Sequence, residues 1–569
     1  MVRPARVAVT LTVLLVIAGI VGPVGTAMAS PAGETAVVTP HTTDRPDPET
    51  DTIGWEDGYW YNESISVDRS DGLSEAELEI VVARAMARVE VVRQLEFKKR
   101  VPVTIISRET FRERNAGYFA NASTEDRLHQ NTKFEALFMV GESTNTIEVQ
   151  QQNRGSSVLG YYDYQNERIV IVSEDTESPQ MNEITLAQEL FHAIQDQYFN
   201  LSNYSRLTEE ENNAVNGIVE GDGNYVDYLY NQRCDSGSWG NCLMPQGERS
   251  GGGDLANVGI YLIGFQPYSD GPAFVANIKD REGWEGVNAV YDDPPDSTEQ
   301  TIHPEKYRTD PPQEVTIENR SSGEWRVLDL NNSIDYAEFG EAGIFSMFWY
   351  ASYEATQRSG SPESVVVSYR GLFNTQPGGS LDPLDPYNYT SRYSAGWDGD
   401  RLVPYVTNTS AITNETGYVW KIAWDSPRDA EEFYAGYQRL LEYHEAEQAG
   451  INTYRLPADS EFNDAIHVIV EGDTVTIVNA PTVTDLSKVN SRVVVRTPTP
   501  STPSNSADTS QTITATRSVT PTVATASPDA STPTVEAPET TSPGQPGFGL
   551  LVLLVALVVA VLGYRRRRR

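Results

Sequence analysis

Cysteine, lysine and histidine are scarce in this chain of 569 residues, which contains two, seven and six of them respectively. Two cysteines allow a single disulfide within the chain. The 43 basic residues stand against 80 acidic ones, so the net charge is −37. An acidic chain repels polyanions, and nucleic acid is therefore excluded as an expected partner. Because electrostatic screening shrinks to about 3 Å in molar salt, this charge predicts a protein that works in very salty water.

The two cysteines, Cys234 and Cys242, lie eight residues apart in a segment rich in glycine and serine. Disulfides form in oxidising surroundings outside the cell. A small disulfide is therefore the favoured interpretation of this pair. A shared metal ion is the weaker alternative, because no histidine lies nearby in the sequence.

The first 29 residues have the layout of a cleavable secretory signal. Arg3 and Arg6 precede an apolar run at 7–21, and Ala27 and Ala29 mark a cleavage site of the A-x-A kind. A membrane helix that stays in place is the alternative, and the short length of the run argues against it. The sequence therefore predicts an exported protein.

A second apolar run, at 548–563, lies near the end of the printed sequence and is followed by five arginines at 565–569. Arginine clusters stay on the cytoplasmic side, so the residues before 548 are predicted to lie outside the cell. The run is shorter than the roughly 20 residues that a membrane-spanning helix usually needs. It therefore fits a processing signal as well as a transmembrane helix.

Aromatic residues are absent from 497–546, where serine, threonine and proline dominate. Such a segment cannot bury a core and is predicted to be an extended stalk. Asn-x-Ser/Thr sequons, which suit an exported protein, all precede this stalk. The candidate glycosylation sites are Asn62, Asn121, Asn200, Asn203, Asn319, Asn331, Asn388, Asn408 and Asn414.

The remaining residues, 44–496, carry helix and strand patterns in an α+β order. Ser74 and Glu77 form a capping box at the start of the first helix, and a polar loop is expected before residue 146. In the first half the expected helices are 74–97, 109–114, 182–199 and 209–231, and the expected strands are 102–106, 146–150, 160–163 and 168–172. In the second half the expected helices are 271–281, 284–291, 338–356 and 427–444, and the expected strands are 468–470 and 474–479.

One predicted helix, 182–199, carries residues whose types and spacing suit metal chemistry. Gln188 and His192 are four residues apart and so share a helix face, and Glu189 follows Gln188. With histidine at both positions this would be the zinc motif HExxH, in which two imidazoles bind the metal and the glutamate is the general base. Glu220 in the next helix is the candidate third ligand. Taken alone, the motif also fits an ordinary amphipathic helix.

The sequence around this motif makes it more specific. The blocks G-Y-Y-D at 160–163, L-A-Q-E-L-F-H-A-I-Q-D-Q at 186–197 and V-E-G-D at 219–222 resemble gluzincin-type metalloproteases. The resemblance implies a zincin-like fold over 44–250, with two packed active-site helices against a mixed sheet, and a mixed α/β C-terminal part over 251–496. It also implies zinc as the cofactor, His192 and Glu220 as metal ligands and Glu189 as the catalytic base. Further blocks that fit the family lie at 265–268, 271–275, 283–285, 294–300 and 303–307.

The outer parts of the chain carry a narrower resemblance. The segments 54–62 and 418–425 resemble a family of haloarchaeal surface proteins. The tripeptide P-G-F at 546–548, with the apolar run and the arginines that follow, is similar to the PGF-type C-terminal sorting signal, which occupies 547–569. This implies processing by an archaeosortase and anchoring to the extracellular face of the cell membrane, next to the cell envelope or S-layer.

The chain departs from the gluzincin pattern at Gln188, which stands where the first zinc-ligand histidine is expected. An amide oxygen is a poor zinc ligand, and without a metal the water beside Glu189 is a weak nucleophile. The expectation is a metalloprotease-like pseudoenzyme that serves as a binding or structural module of the cell envelope, with a peptide or protein as the candidate ligand. The alternative is an active metal-dependent peptidase with an altered ligand set, in which Gln188 or His303 supplies the missing ligand. The histidines expected to have surface or packing roles are His41, His129, His444 and His467.

Overall fold

The computed structural model describes residues 47–68, 72–119, 122–158, 160–173, 176, 183–243, 255–330 and 333–496. The expected signal at 1–29, the stalk at 497–546 and the sorting signal at 547–569 lie outside these residues, as do the sequons Asn121 and Asn331. Among the described residues, no helix combines the length and the apolar character that crossing a membrane requires.

The described chain is a mixed α+β structure with several sheets, and its first part runs to residue 243. The helices of this part are α1 (Glu75–Arg93), α2 (Arg108–Phe119), α3 (Thr124–Glu135), α4 (Thr146–Ser157), α5 (Glu183–Phe199) and α6 (Glu209–Asp235). The strands are β1 (Trp55–Glu56), β2 (Tyr59–Trp60), β3 (Val103–Ser107), β4 (Gly160–Asp163) and β5 (Arg168–Ser173).

Helix α1 is buried on most of its faces, charged residues included. Its predicted capping box is confirmed, because the Ser74 side chain accepts from the Glu77 amide and Glu77 in turn caps Ser74. Arg84 and Arg88 bind Glu183 of α5 at 2.8 and 2.5 Å, with all three side chains fully buried. Paired in this way, charged groups can occupy the centre of a fold.

A three-stranded mixed sheet lies against these helices. Its order is β3-β5-β4, with β3 parallel to β5 and β4 antiparallel to it. The predicted hairpin is confirmed, and the side chain of Asp163 accepts from the Asn166 amide in its turn. The strand predicted at 102–106 is confirmed as β3.

Helices α5 and α6 pack side by side, and α5 also contacts β4 and β5. Helix α1 contacts both helices. Both predicted helices are therefore confirmed, together with their contact beneath a mixed sheet that contains β5. A disulfide joins Cys234 near the end of α6 to Cys242.

Two predictions in the first part are wrong. The expected strand at 146–150 is the first turn of α4, where the Asn145 side chain caps the helix by accepting from the Ile147 amide. The alternation of Ile147 and Val149 with polar residues mimics a strand, and the cap decides the outcome. The expected polar loop contains α3, which begins at a capping box of Ser123 and Asp126.

The second part adds an antiparallel sheet and its covering helices. Its helices are α7 (Val258–Val290), α8 (Thr298–Ile302), α9 (Gly340–Ser359), α10 (Ser410–Thr413), α11 (Pro427–Tyr443) and α12 (Val483–Val489). Its strands are β6 (Arg326–Val327), β7 (Trp397–Val406), β8 (Gly417–Trp424), β9 (Glu447–Gly450), β10 (Thr453–Arg455), β11 (Ala465–Glu471) and β12 (Thr474–Ala480). The seven strands have the order β6-β7-β8-β12-β11-β10-β9.

Helix α7 connects the two parts. The sequence predicts two helices here, 271–281 and 284–291, and the break between them is confirmed, because the backbone of Gly283 is non-helical with a φ of 71°. The helical segment before the break begins earlier than predicted, at Val258. Helix α7 packs along α6 so closely that a Cβ atom on Gly221 would lie 2.5 Å from the carbonyl carbon of Gly271. Glycine at both positions allows the two backbones to touch, which brings side chains of α7 next to α5 and α6.

Candidate functional site

Helices α5 and α6 bring His192 and Glu220 together. The distance from His192 Nε2 to Glu220 Oε2 is 3.5 Å, and both side chains are fully buried. The expectation that Glu220 faces His192 is therefore confirmed. Two atoms bound tetrahedrally to one zinc ion at 2.0–2.1 Å lie about 3.3 Å apart, so this spacing suits two ligands of a metal.

The imidazole of His192 is held in one orientation by Gln195. Gln195 Oε1 lies 2.7 Å from His192 Nδ1, and Gln195 Nε2 donates to the carbonyl oxygen of Val219 at 2.9 Å. Because an amide oxygen only accepts, Nδ1 carries the proton and Nε2 turns its lone pair towards Glu220. Burial lowers the pKa of His192 to about 4, so the ring is neutral at pH 7. This is the state in which histidine binds metals.

A buried chain of polar groups supports Gln195. Gln195 also donates to the Tyr291 hydroxyl at 2.5 Å, and that hydroxyl donates to Asp222 at 2.8 Å. Asp222 pairs with Arg93 at 3.0 Å, and the Arg93 guanidinium lies 4.4 Å from the centre of the Trp284 ring. Groups from α1, α5, α6 and α7 thus fix the position of one imidazole.

Two buried carboxyl groups, Glu189 and Glu220, and the partly buried Asp227 lie on α5 and α6. Burial raises the pKa of Glu189 to about 8, although the Tyr162 backbone favours its charged form. Burial, and then the charge of Glu189, raise the pKa of Glu220 well above its usual range, while the Tyr268 side chain opposes them. The same two causes raise the pKa of Asp227, seven residues further along α6. At neutral pH these environments favour protonated acids.

Small residues make room for this cluster. A Cβ atom on Gly223 would lie 3.2 Å from His192 Cε1, and one on Gly160 of β4 would lie 3.6 Å from Glu189 Cγ. A contact of 3.2 Å is tighter than a Cβ atom normally makes. Glycine at 223 therefore lets the imidazole lie directly against the backbone of α6.

The residues present fit two zinc ligands and do not fit a catalytic zinc ion, which uses three protein ligands. Gln188 is 5% exposed and lies one helical turn before His192, with a neutral amide where an imidazole would be needed. Within the described ranges, no third histidine, cysteine, aspartate or glutamate joins His192 and Glu220. The groups of three that could share an ion lie elsewhere, at Glu135, Glu142 and Asp464 and at Glu299, Asp310 and Asp425.

His303, the expected outside candidate for the missing ligand, has another partner. Its Nε2 lies 3.0 Å from Glu341 Oε2 at the start of α9. Burial lowers the pKa of His303, but the hydrogen bond to Glu341 and the charges of the neighbouring glutamates together raise it above its ordinary value. His192 and His303 therefore pair with different carboxylates in different places.

The other histidines of the described chain have packing partners. His129 Nε2 is 3.3 Å from the Tyr336 carbonyl oxygen, and His467 Nδ1 is 2.8 Å from Thr453 Oγ1. His444 stacks on Phe138 with ring centres 4.6 Å apart. His41 lies outside the described residues.

Seven of the nine sequons fall within the described residues. Asn388 and Asn414 are partly buried, and the Asn414 side chain is used, since Nδ2 donates to the Glu142 carbonyl oxygen at 3.3 Å. The exposed asparagines, whose side chains are open to modification, are Asn62, Asn200, Asn203, Asn319 and Asn408.

Sequence reasoning found the His192–Glu220 pair but missed Gln195, Tyr291 and Asp227. Gln195 stands in the block that resembles gluzincins, three residues after His192, where a helix side chain can reach back to the ring. Asp227 is two helical turns after Glu220, which was a usable signal. Tyr291 is 96 residues from Gln195 along the chain, and only the packing of α7 on α6 reveals it.

Comparison with known proteins gives one match. No curated protein and no solved structure matches the chain. Residues 326–490, which hold the seven-stranded sheet, match a family model described as Domain of unknown function (DUF8575). The match lies wholly in the second part of the chain, after α5 and α6. The His192 site is therefore outside the matched residues.

Proposed function

We propose that this chain is a cell-surface protein whose residues 44–250 form a zincin-like, metalloprotease-like domain without peptidase activity. The observation that carries the proposal is the site itself. His192 and Glu220 lie at the spacing of two zinc ligands, Glu189 stands in the position of the base, and Gln188 leaves the set one ligand short. The contact of α5 and α6 beneath a mixed sheet supports the same interpretation.

The residues left in the site would bind and orient a ligand without activating water. Glu189 holds a proton at neutral pH because burial raises its pKa to about 8, so it is a poor base there. His192 is neutral and its Nδ1 proton is held by Gln195. Neither group generates a hydroxide in the absence of a metal.

A peptide is the ligand that this architecture suits. Among the described residues β4 pairs only with β5, so the other edge of β4 offers backbone groups to an added strand. Gly160 on β4 lies against Glu189, which places that edge beside the site. A bound peptide or protein segment would therefore run past Glu189 without being cut.

The ends of the chain would place this domain at the cell surface. The secretory signal expected at 1–29 would direct export of the protein, and the stalk at 497–546 would hold the domain away from the membrane. The sorting signal at 547–569 would be cleaved by an archaeosortase, which would attach the protein to a membrane anchor. Its partners would then be components of the cell envelope or S-layer. Residues 251–496 would be the C-terminal part of the ectodomain.

Zinc content and proteolysis test the proposal in the full chain purified in molar salt. Wild type should bind less than about 0.1 zinc per chain and leave unfolded casein intact. Gln188→His should bind about one zinc per chain, because the introduced imidazole would complete the ligand set with His192 and Glu220. Gln232→His, which adds a histidine at an exposed position of α6, is the matched control and should bind none.

Stoichiometric zinc in the wild type would contradict this proposal. If that zinc and casein hydrolysis were both lost in His192→Ala, the active metal-dependent peptidase would be the correct alternative. Gln188→His that folds, judged by an unchanged unfolding temperature, yet binds no zinc would show that the site lacks the zincin geometry.

A further inference from the structure

A row of hydrogen-bond acceptors runs along one side of α6. Asn216, Glu220, Asp227 and Asn231 follow one another at intervals of four, seven and four residues, so their side chains leave the helix within a narrow sector. At 1.5 Å per residue this acceptor row is about 22 Å long. It is therefore too long to be the ligand set of one ion, and its length suits an extended ligand.

The acceptor row lies between the places where α5 and α7 touch α6. A Cβ atom on Gly221 would lie 2.5 Å from the carbonyl carbon of Gly271 on α7, and one on Gly223 would lie 3.2 Å from His192 Cε1 on α5. Because each residue turns a helix by about 100°, Gly221 and Gly223 lie on opposite sides of Glu220 around α6. The row therefore faces the space between α5 and α7, next to the His192 site.

Three amide or carboxyl oxygens of the acceptor row have no donor. The Oδ1 atoms of Asn216, Asp227 and Asn231 are covered from solvent, and none of them accepts a hydrogen bond from the described chain. Asn216 is 5% exposed as a whole residue. Buried oxygens are rarely left unpaired in a folded protein, so three along one side of one helix indicate a place for a ligand that brings donors.

Negative charge accumulates beside the acceptor row. The charge of Glu189 on α5 acts on both Glu220 and Asp227. Within the described residues no lysine or arginine forms an ion pair with these three carboxyl groups, whereas Asp222, on the opposite side of α6, pairs with Arg93 at 3.0 Å. The ligand that suits this place therefore brings positive charge as well as donors.

The acceptor row becomes more accessible towards the C-terminal end of α6. Asn216 and Glu220 are buried, whereas Asp227 and Asn231 are partly exposed. A ligand that enters from solvent therefore meets Asp227 before it meets Glu220.

We propose that the acceptor row binds an extended peptide whose protonated amine lies between Asp227 and Glu189. This inference rests on the proposed function, which makes a peptide the ligand of the domain. Gly160 of β4 lies against Glu189, so a peptide that pairs with the free edge of β4 reaches the row. The amine belongs to the amino terminus or to a lysine side chain, since both carry three donors and one positive charge.

Peptide binding by the full chain in about 2 M NaCl tests the proposal. This salt screens the attraction between a cationic peptide and exposed carboxylates, and it screens a buried pair much less. The probes are the peptide amide Ala-Ala-Phe-Ala, its N-acetyl form, and the N-acetyl form with lysine in place of the first alanine. Isothermal titration calorimetry measures each dissociation constant.

A peptide with an amine should bind at least about tenfold more tightly than the N-acetyl peptide without one. Tight binding of the free amino terminus alone identifies the terminus as the bound group, and tight binding of the acetylated lysine peptide identifies the side chain. Equal affinities of all three peptides, or no binding of any, would overturn the proposal.

Two substitutions locate the amine. Asp227→Asn and Glu189→Gln keep the size of each side chain and should each weaken binding of the amine peptide at least about tenfold, with the N-acetyl peptide unaffected. Asp235→Asn, at an exposed position of α6, is the matched control and should bind as wild type does. Unchanged unfolding temperatures show that the variants fold.

Unchanged affinity in both Asp227→Asn and Glu189→Gln would also overturn the proposal. Equal affinities of the three peptides would remove the amine and leave a peptide-binding domain in place. Zinc in the wild type, by contrast, would contradict the proposed function and is measured without any peptide, so the two failures are distinguishable.

Discussion

At the scale of single residues, some buried carboxyl groups pair with arginines, and others share a proton with a second carboxyl group. Glu90 of α1 accepts from the amides of Gly54 and Phe97, both at 2.8 Å. Glu56 of β1 lies against it, and burial followed by the charge of Glu90 raises the pKa of Glu56 to about 9. Glu56 is therefore protonated at neutral pH and donates to Glu90, which fastens the N-terminal hairpin to α1.

The proton on Glu56 makes the stability of the folded chain depend on pH. The pKa of Glu56 is higher in the folded chain than the ordinary 4.5, so its contribution to stability is fully present below about pH 4.5 and is lost as pH rises towards 9. Glu56→Gln keeps a donor for Glu90 and cannot ionise. We expect the variant and wild type to unfold alike at pH 5, and the variant to be the more stable at pH 9.

Denaturant unfolding at the two pH values measures this difference. Glu113→Gln, an exposed position on α2, is the control and should show no such trend. A difference between Glu56→Gln and wild type that is the same at pH 5 and pH 9 would mean that Glu56 does not titrate in this range.

At the scale of elements, the contact between α6 and α7 sets the position of the site. A methyl group on Gly221 would meet the backbone of Gly271 at 2.5 Å, and a backbone cannot rotate away as a side chain can. Gly221→Ala should therefore destabilise the chain by about 3 kcal/mol, measured by denaturant unfolding. Gly264→Ala on α7, where a Cβ atom meets nothing within 4 Å, is the matched control and should be neutral or stabilising. Equal stability of the two variants would refute the close packing of these helices.

The elements that sequence predicts well are those with local signals. A capping box and apolar periodicity predicted α1, helical patterns predicted α5 and α6, and two short strand patterns around a turn predicted the β4–β5 hairpin. Strand β7 was missed because Gly399 and Pro404 interrupt its pattern, and its place between β6 and β8 comes from non-local pairing. The same holds for the site. Helical spacing predicts the site residues of α5 and α6, whereas Tyr268 and Tyr291 reach the site only through the tertiary packing of α7.

At the scale of the whole molecule, the net charge of −37 governs stability in solution. Repulsion between surface carboxylates is screened within about 3 Å at 1 M salt and reaches about 10 Å at 0.1 M. We expect the unfolding temperature to fall by more than about 10 °C when NaCl is lowered from about 3 M to about 0.1 M, as measured by calorimetry. KCl at equal ionic strength should act in the same way, and an unfolding temperature independent of salt would contradict this account.

The buried arginines of α1 have a consequence for the medium around the protein. Arg84, Arg88 and Arg93 are fully enclosed and pair with Glu183 and Asp222 inside the fold, so these three guanidinium groups are absent from the surface. Because the chain has few basic residues and buries some of them, carboxylates dominate its surface. A protein with such a surface is surrounded by a dense layer of sodium or potassium counterions, which diffuses with it. Two copies that approach each other would therefore meet through these cation layers, and the repulsion between them would depend on the salinity of the surrounding water.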